Sequence, residues 1–278
     1  MSYVLDETRI YRSSEGIEHR NDEYDETGFA FLAQMQRDHF WYRGRHKFLL
    51  RSVLSQPRAS RPNVIDLGGG TGGWVHYLKE RSGIDFSELA LGDSSDIALS
   101  KAREILPAST DVYQADLMNL QWQDRWEMAF LLDVIEHCPD DREVLAQVFR
   151  ALRPGGTLFV TTPALQYFWS YNDDLVHHLR RYSVDDYQKL AQATGFQLLD
   201  ARYFMFFLSP LYFFSRMIGT KSLDKQRSEE LFKREHSMPN RIINNLLAGI
   251  FLAETGIGHR IHFPWGTSAL GVFRKPVK

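Results

Sequence analysis

Short apolar runs alternate with helical patterns along most of this chain. The continuous apolar run at 128–132 is typical of a strand buried on both faces. The apolar positions that follow it, between 144 and 152, have the three- and four-residue spacing of one helix face. Repeated alternation of this kind predicts an α/β fold, with helices covering both faces of a mostly parallel sheet. The predicted strands lie at 64–67, 88–93, 112–115, 128–132, 157–163, 196–206 and 267–273.

The two ends of the chain depart from this alternation. Residues 1–26 are charged and lack periodicity, which indicates a mobile or partner-dependent arm, whereas 29–54 has a helical pattern. About sixty residues separate the last two predicted strands, and loops of that length are usually functional or disordered. We predict two apolar helices there, around a polar hinge, acting as a lid, an oligomer contact or, less favourably, a membrane-surface contact. The predicted division is an N-terminal region at 1–58 that covers the site, a core at 59–206 and 265–278, and a helical lid insertion at 207–264.

Composition narrows the possible functions. The length of 278 residues fits one large α/β domain with additions. A formal net charge of −2 means that the chain has no excess of basic residues with which to bind a polyanion, which disfavours nucleic acid as a partner. The single cysteine, Cys138, allows neither a disulfide framework nor a multi-cysteine metal cluster, so we predict no metal site and a reducing, cytoplasmic location. We also expect no secretory signal, no membrane-spanning helix, and a monomer or homodimer.

A glycine-rich run directly follows the first predicted strand, and it can be interpreted in two ways. Gly68, Gly70 and Gly73 fit the G-x-G-x-x-G of dinucleotide-binding folds. Asp66 with Gly68, Gly70 and Gly72 fits D-x-G-x-G-x-G instead. An acid at the end of the strand would attract a ligand that carries an ammonium and a sulfonium, and would not help to bind a pyrophosphate. The acid therefore favours the second interpretation, and an ordinary strand-to-helix turn is the alternative without a ligand.

Acidic residues also end the next two predicted strands. Asp93 follows the second strand, where a carboxylate can accept hydrogen bonds from both ribose hydroxyls of an adenosine. Ser94 comes directly after it, at the start of a predicted helix. Asp116 and Leu117 follow the third strand and are candidates for contacting adenine, although a surface aspartate would look the same in the sequence.

Two further segments add candidate ligand contacts. Acids and a histidine crowd the end of the fourth predicted strand, from Asp133 through Val134 to His137, and such a segment would attract a cationic sulfonium. Near the N-terminus, Trp41 and Tyr42 can cover an adenosyl ligand while Arg43 pairs with its carboxylate. Ordinary helix packing with a solvated arginine is the alternative for that second segment.

Taken together, these motifs resemble the class I S-adenosylmethionine (SAM)-dependent methyltransferases, of the type akin to ubiquinone and menaquinone biosynthesis enzymes. The resemblance covers about residues 60–163 and implies a Rossmann-like sheet of seven strands, in which the seventh strand runs antiparallel between the fifth and sixth. It also implies that Asp93 binds ribose, that Asp116 binds adenine, and that the segment after the fourth strand lines the reactive methyl group. The predicted cofactor-binding residues are Trp41, Tyr42, Arg43, Asp66, Gly68, Gly69, Gly70, Gly72, Asp93, Ser94, Asp116, Leu117, Asp133, Val134 and His137.

The resemblance implies an enzyme that methylates a small-molecule acceptor on oxygen, nitrogen or carbon. The apolar composition of the insertion would suit an acceptor with a lipid or isoprenoid tail. Methyl transfer is an in-line displacement that needs positioning, exclusion of water and sometimes a base. His137 and His178 are the candidate catalytic residues, although His137 can simply shape the pocket and His178 can pair with Asp173 or Asp174. A SAM-binding regulatory protein without turnover and a nicotinamide-dependent oxidoreductase remain as alternatives.

Overall fold

A mixed β-sheet runs through the structure, a computed structural model that describes residues 3–14, 16–17, 35–217 and 238–277. Within these residues the sheet has nine strands in the order β1-β2-β5-β4-β3-β6-β7-β9-β8. The strands are β1 (Tyr3–Leu5), β2 (Tyr11–Ser13), β3 (Asn63–Leu67), β4 (Glu88–Asp93), β5 (Asp111–Gln114), β6 (Trp126–Leu132), β7 (Leu152–Pro163), β8 (Gln197–Phe204) and β9 (Ser268–Arg274).

Eight α-helices accompany the strands in the described part of the chain. They are α1 (Phe40–Ser55), α2 (Gly73–Arg81), α3 (Asp96–Ile105), α4 (Asp141–Ala151), α5 (Tyr171–Leu175), α6 (Val184–Thr194), α7 (Ser209–Met217) and α8 (Arg241–Gly258). One face of the sheet packs against α1, α2, α3 and α8, and the other face packs against α4 and α6. The predicted α/β layers are confirmed.

Local sequence signals explain where several helices begin. The Ser95 side chain accepts a hydrogen bond from Ala98 N at the start of α3, and Asp140 does the same for Glu143 N at the start of α4. The predicted capping box at the start of α6 is also formed, because the Ser183 side chain accepts from Asp186 N while the Asp186 carboxylate accepts from Ser183 N. Side-chain caps of this kind satisfy backbone donors that the helix itself cannot.

The strand order creates a crevice in the middle of the sheet. The chain passes from β3 outward through β4 to β5 and then returns to β6, on the other side of β3. Because β3 and β6 run parallel, their carboxyl ends lie at the same edge while their following segments diverge. Ligands of open α/β sheets bind at such a switch point. β9 runs antiparallel between β7 and β8, as predicted.

The predicted count of seven strands is wrong, because β1 and β2 extend the sheet beyond β5. The N-terminal arm was expected to be mobile or partner-dependent, yet its strand β2 pairs parallel with β5 of the same chain at Tyr11 and Tyr113. Aromatic contacts hold this added pair: the rings of Tyr11 and Tyr113 stack with centroids 4.6 Å apart, and those of Tyr3 and Trp122 stack at 5.3 Å. The helical pattern predicted at 29–54 begins outside the described residues, and from 35 onward it is confirmed by helical structure at 35–38 and in α1.

In the described part of the segment between β8 and β9 lie the helices α7 and α8, and α8 packs against α1. A Cβ on Gly44 of α1 would come within 2.1 Å of the Phe251 ring, so the helices approach closely only because Gly44 has no side chain. The Asn244 side chain accepts a hydrogen bond from Phe40 N at 2.8 Å and donates one to Asp38 O at 2.9 Å. The polar hinge predicted between these helices lies outside the described residues. None of the helices in the described ranges is long and apolar enough to cross a membrane.

Candidate functional site

The glycine loop, residues 68–73, joins β3 to α2 at the sheet crevice. Gly68 has φ +69°, a conformation that favours glycine, and its N–H donates to Gly92 O at 2.8 Å. A Cβ on Gly68 would come within 2.7 Å of the Val134 side chain, and one on Gly69 within 2.7 Å of Asp66 Oδ2. The loop therefore lies tightly against the segments that follow β3 and β6.

Asp93 at the end of β4 holds this loop in place. Its Oδ2 accepts from Gly70 N and its Oδ1 from Ser95 N, both at 2.9 Å. The carboxylate thus connects the glycine loop to the start of α3. Ser94 lies half-buried between the two anchored residues. Each oxygen of an ionised carboxylate can accept more than one hydrogen bond, so these contacts leave Asp93 able to accept from a ligand.

A residue from the N-terminal region also reaches the loop, and the sequence analysis missed it. Gln36 Oε1 accepts from Gly73 N at 3.0 Å and from Thr71 Oγ1 at 2.8 Å. Gly72, with φ +83°, is the N-cap of α2 and has no side chain with which to cap it. The Gln36 side chain therefore satisfies a backbone donor at the start of that helix. A single glutamine far from the glycines gives no sequence signal for this contact.

Asp66 is the most unusual acid of the site. Its side chain is almost fully buried, and Oδ1 has no hydrogen-bond partner among the described residues. Burial, opposed by the charge of Arg45 and reinforced by the negative charge of Asp93, raises the pKa of Asp66 to about 8. At neutral pH and without a ligand, Asp66 is therefore mainly protonated.

The arginine that reaches the crevice is Arg45, one turn beyond Trp41 on α1. Its Nη1 lies 3.2 Å from Asp133 Oδ2, and its guanidinium carbon lies 4.9 Å from the Trp41 ring centroid and 5.8 Å from that of Tyr42. Arg43 instead donates to Asn245 Oδ1 at 2.8 Å, on another side of the helix. The i, i+4 spacing from Trp41 to Arg45 was the signal in the sequence that could have identified this contact.

The predicted adenine-contacting residues lie at the end of β5, next to β4. Asp116 is half-buried, and its Oδ1 accepts from Met118 N at 2.9 Å. Leu117 is partly buried and packs against the core. The carboxyl ends of β3, β4 and β5 thus bring Asp66, Asp93 and Asp116 to one edge of the sheet.

The segment after β6 carries a second group of acids and a histidine. Asp133 has φ +58°, and its Oδ1 accepts from Thr161 Oγ1 at 3.3 Å. Glu136 is completely buried, and burial together with the charge of Asp133 raises the pKa of its carboxyl well above the usual range. Burial, together with the nearby histidines 178 and 177, lowers the pKa of His137 to about 3, so this ring is neutral at neutral pH.

His178 approaches the same segment from the other side of the crevice. Its Nδ1 lies 2.8 Å from Asp173 Oδ1, and its Nε2 lies 4.0 Å from Glu136 Oε1. Arg181 binds both oxygens of Asp173, with Nε to Oδ1 at 2.8 Å and Nη2 to Oδ2 at 3.0 Å. Burial disfavours a charged Asp173, but the hydrogen bonds from His178 and Arg181 hold the pKa of this carboxyl well below its usual range.

The contact with Asp173 determines which tautomer a neutral His178 ring has. An ionised carboxylate can only accept hydrogen bonds, so the proton of a neutral ring lies on Nδ1 and the lone pair on Nε2. The lone pair then faces the crevice, beside Glu136 and the His137 ring, whose centroid is 4.8 Å from that of His178. From the sequence, Asp173 was considered only as a possible ion-pair partner of a non-catalytic His178. Arg181 and Glu136 were not predicted as parts of the site.

A sequence profile described as a methyltransferase domain matches residues 33–201, more than half of the chain. A probable S-adenosylmethionine-dependent methyltransferase of Mycolicibacterium smegmatis is 24% identical over 181 residues, which cover 63% of this chain and 66% of that protein. The malonyl-[acyl-carrier protein] O-methyltransferase of Salmonella typhimurium is 28% identical over 129 residues, 41% of this chain and 47% of that protein. The chain therefore spans less than two thirds of the length of either relative.

Solved structures with the same fold include the Haemonchus contortus phosphoethanolamine N-methyltransferase 2 in complex with phosphomonomethylethanolamine and S-adenosylhomocysteine. It has a TM-score of 0.57 and 15% sequence identity, and the alignment covers 90% of this chain and 57% of that one. At this identity the likeness concerns the fold alone. The profile match over 33–201, the crevice at the switch point and the relatives together establish that the chain belongs to the class I S-adenosylmethionine-dependent methyltransferases, whose cofactor is SAM.

Proposed function

We propose that this chain transfers a methyl group from SAM to a small-molecule acceptor whose attacked oxygen or nitrogen lies beside His178. One observation carries the proposal: the glycine loop with its acids and the His178–Asp173 pair lie at the same edge of the sheet, on the two sides of the crevice. A cofactor side and an acceptor side facing each other across a crevice are what an in-line displacement requires.

Two observations indicate that the residues around the glycine loop fit the cofactor. The buried Asp66 Oδ1 has no partner among the residues described, and a cationic ligand group would compensate it. The close approach of the loop to Val134 and Asp66 also leaves no room for side chains at Gly68 and Gly69, and it holds the loop backbone beside the acid that would face the cofactor. When bound, SAM supplies an electrophilic methyl group on a sulfonium.

We assign the cofactor contacts as follows. Asp66 would face the ammonium of the methionine moiety, Asp93 would accept from the ribose hydroxyls, and Asp116 would accept from the adenine amino group. Arg45 replaces Arg43 as the arginine placed to attract the methionine carboxylate, because its guanidinium lies over Trp41 and beside Asp133. The remaining predicted contacts line the same edge: Trp41, Tyr42, Gly68, Gly69, Gly70, Gly72, Ser94, Leu117, Val134 and His137.

The acceptor side is proposed to orient and deprotonate the nucleophile. His178 presents its Nε2 lone pair because Asp173 accepts from Nδ1, and Arg181 fixes Asp173 in turn. A base held in this way is suited to an acceptor hydroxyl or amine that must lose a proton as it attacks. His137, neutral and next to His178, is proposed to shape the pocket at the methyl group rather than to carry a proton.

An apolar cavity beside this side of the crevice supports an apolar acceptor. It has a volume of about 490 Å³ and lies between the segment after β7 and helix α7. Its lining residues include Leu165, Tyr167, Phe168, Pro210, Phe213 and Trp265. Ligand pockets of this size are usually apolar with a few polar groups at one end. Helix α7 also reaches the residues that hold the base, because the hydroxyl of Tyr212, next to the lining residue Phe213, lies 3.5 Å from Arg181 Nη2.

The cavity also supports the division of the chain that the sequence suggested. We propose that residues 207–264 act as a lid over the acceptor, with α7 as the part that lines the cavity. An aromatic or isoprenoid-like acceptor, as in the ubiquinone and menaquinone type of enzyme, would suit such a wall. The relatives differ in their named acceptors, phosphoethanolamine for N-methylation and malonyl-[acyl-carrier protein] for O-methylation, and so support no single attacked atom.

The test is an unbiased search for the acceptor. The chain is incubated with SAM labelled in its methyl group and with a metabolite extract of its source, and the labelled products are identified. We expect one apolar product that appears with the wild type and is lost with Asp93→Asn. Binding of SAM without label transfer to any molecule would favour a regulatory protein, and absence of SAM binding would contradict the proposal altogether.

A further inference from the structure

Three side chains that commonly bind metals converge in the crevice. Glu136 and His137 follow β6, and His178 follows α5, 41 residues further along the chain. One ligand atom from each of the three lies within 4.8 Å of the others, and His178 Nε2 is 4.0 Å from Glu136 Oε1. Metal–ligand distances are about 2.0–2.2 Å. Two imidazoles and a carboxylate at this spacing can therefore surround one ion after small side-chain rotations that move the ligand atoms by about 1 Å.

Glu136 provides the independent reason to expect a cation there. Its side chain is fully buried, and neither carboxylate oxygen has a hydrogen-bond partner among the described residues. A buried carboxyl without such partners is costly unless a cation or a proton compensates it. The two nearby guanidinium groups are already paired with other acids, Arg45 with Asp133 and Arg181 with Asp173.

His178 has the supporting contact that metal-binding histidines usually have. Such histidines nearly always donate their other ring N–H to a carboxylate or a carbonyl, which fixes the ring and directs the lone pair at the metal. Asp173 accepts from His178 Nδ1 in this way, and its own position is fixed by Arg181 and by a hydrogen bond from Ser170 N at 2.8 Å. Nε2 therefore faces Glu136 in a defined orientation.

We propose that Glu136, His137 and His178 bind a divalent transition-metal ion, which holds the nucleophilic atom of the acceptor. Imidazole ligands favour zinc, copper, iron or nickel over magnesium, calcium and manganese, which prefer oxygen ligands. Three protein ligands leave at least one position for an exchangeable group, as in catalytic metal sites. The role of the ion rests on the proposed function, because the ion would contact the acceptor where His178 would otherwise contact it directly. Binding of the metal can be measured without any turnover.

The decisive experiment is metal binding to the whole chain after chelator treatment. Titration with Zn²⁺ against a competing chelator should give one tightly held ion per chain, and Co²⁺ should give visible absorption bands typical of nitrogen and oxygen ligands. Glu136→Gln and His178→Gln should each weaken the Zn²⁺ affinity at least about tenfold. His262→Gln is the matched control, because this exposed histidine also pairs with an aspartate, Asp200 at 3.1 Å, and should leave the affinity unchanged.

The results separate this inference from the proposed function. Absence of a Co²⁺ spectrum with the wild-type chain would overturn the metal site even if a variant failed to fold, as would equal Zn²⁺ affinity of the wild type and both folded variants. Methyl transfer that continues in the presence of excess chelator would also overturn it, while leaving His178 as a direct base. Failure of the chelator-treated chain to bind SAM in calorimetry would instead contradict the proposed function.

Discussion

The two sides of the crevice are built in different ways. On the cofactor side, at the ends of β3 and β4, backbone groups make most of the contacts: Gly68 and Gly70 donate to groups on β4, and the partners are fewer than thirty residues apart. On the acceptor side, at the ends of β6 and β7, buried side chains from separate segments hold one another, as in the chain of contacts from Arg181 through Asp173 to His178. The first arrangement depends on a short motif and the second on the completed tertiary structure.

This difference predicts how each side responds to mutation. Changes on the cofactor side should mainly affect SAM binding, because the backbone contacts that shape the loop survive most side-chain replacements. Changes to the buried ionic contacts of the acceptor side should affect the stability of the whole domain. The following predictions, in order of decreasing effect, test this contrast.

The largest effect is expected for Asp173→Ala. This replacement leaves the Arg181 guanidinium, whose side chain is 2% exposed, without its carboxylate. Removal of one partner of a buried ion pair usually costs about 3–5 kcal/mol. Denaturant unfolding should show a loss of that size, with circular dichroism as a check on the remaining fold.

The control for Asp173 is the surface pair of Arg61 and Asp85, whose N–O distance of 2.9 Å is similar but whose side chains are 62% and 72% exposed. Asp85→Ala should cost less than about 1 kcal/mol, because solvent already screens the pair. Equal losses in the two variants would mean that burial of the Asp173 contacts contributes nothing to the difference between the two sides.

On the cofactor side, Asp93→Ala should weaken SAM binding by at least about 1.5 kcal/mol. The carboxylate would lose charge-assisted hydrogen bonds to the ribose hydroxyls, and Gly70 N and Ser95 N would lose their acceptor. Calorimetry with SAM and with S-adenosylhomocysteine measures the change. Unchanged affinity for both ligands would remove Asp93 from the cofactor site.

Asp66 gives a prediction about pH. Its pKa in the folded protein, about 8, is above the ordinary aspartate value of 3.8, so the folded state binds more protons than the unfolded state between these values. The free energy of unfolding should therefore fall as the pH rises through this window, by at most about 1.4 kcal/mol per pH unit. Asp66→Asn should flatten the slope, as measured by denaturant unfolding at several pH values.

The same carboxyl should lose its proton when the cofactor binds. With a pKa of about 8, Asp66 is about 90% protonated at pH 7, and a bound ammonium would favour its charged form. The heat of SAM binding should therefore vary with the ionisation enthalpy of the buffer, and it should not vary in Asp66→Asn. An enthalpy that is independent of the buffer in the wild type would separate Asp66 from the cationic part of the ligand.

The contrast between the two sides also explains what the sequence could predict. Asp66, Asp93 and Asp116 each end a predicted strand, so the parallel sheet alone brings them together. Glu136 meets His178 only because the segment after β7 folds back over β6, where Leu179 N donates to Glu136 O at 2.8 Å. No spacing in the sequence encodes such a contact.

The two added strands went unpredicted for the same reason. The strands β1 and β2 have only three residues each and no apolar run, and they are held by aromatic contacts with β5 and Trp122 that form only in the folded chain. Arg45 is different, because its helical spacing from Trp41 was visible in the sequence. There the cluster of adjacent aromatic residues drew attention to Arg43, whose side chain faces α8.

The smallest effect is expected for the lid, and it tests whether the two sides are independent. Phe213 of α7 stacks on Tyr167 with ring centroids 4.9 Å apart, and the Tyr212 hydroxyl lies 3.5 Å from Arg181 Nη2. Replacing Tyr212 and Phe213 together by Ala should raise the acceptor's KM or lower kcat several-fold, because the cavity loses the apolar ring of Phe213 and Arg181 loses its contact with Tyr212. SAM affinity should stay within about twofold, since these side chains line the acceptor side.

A competing outcome follows from the packing of α8. This helix, which follows α7 in the same insertion, contacts α1 through Phe251 and Asn244, and α1 carries Trp41 and Arg45. If a disturbance of α7 were transmitted to α8, SAM affinity would fall together with acceptor turnover in the Tyr212 and Phe213 variant. Phe251→Ala is the matched comparison, since it loosens the contact between α8 and α1 without touching the cavity. If only Phe251→Ala loses SAM affinity, the two sides of the crevice are independent. If both variants lose it equally, the insertion couples the two sides and is not simply a lid over the acceptor.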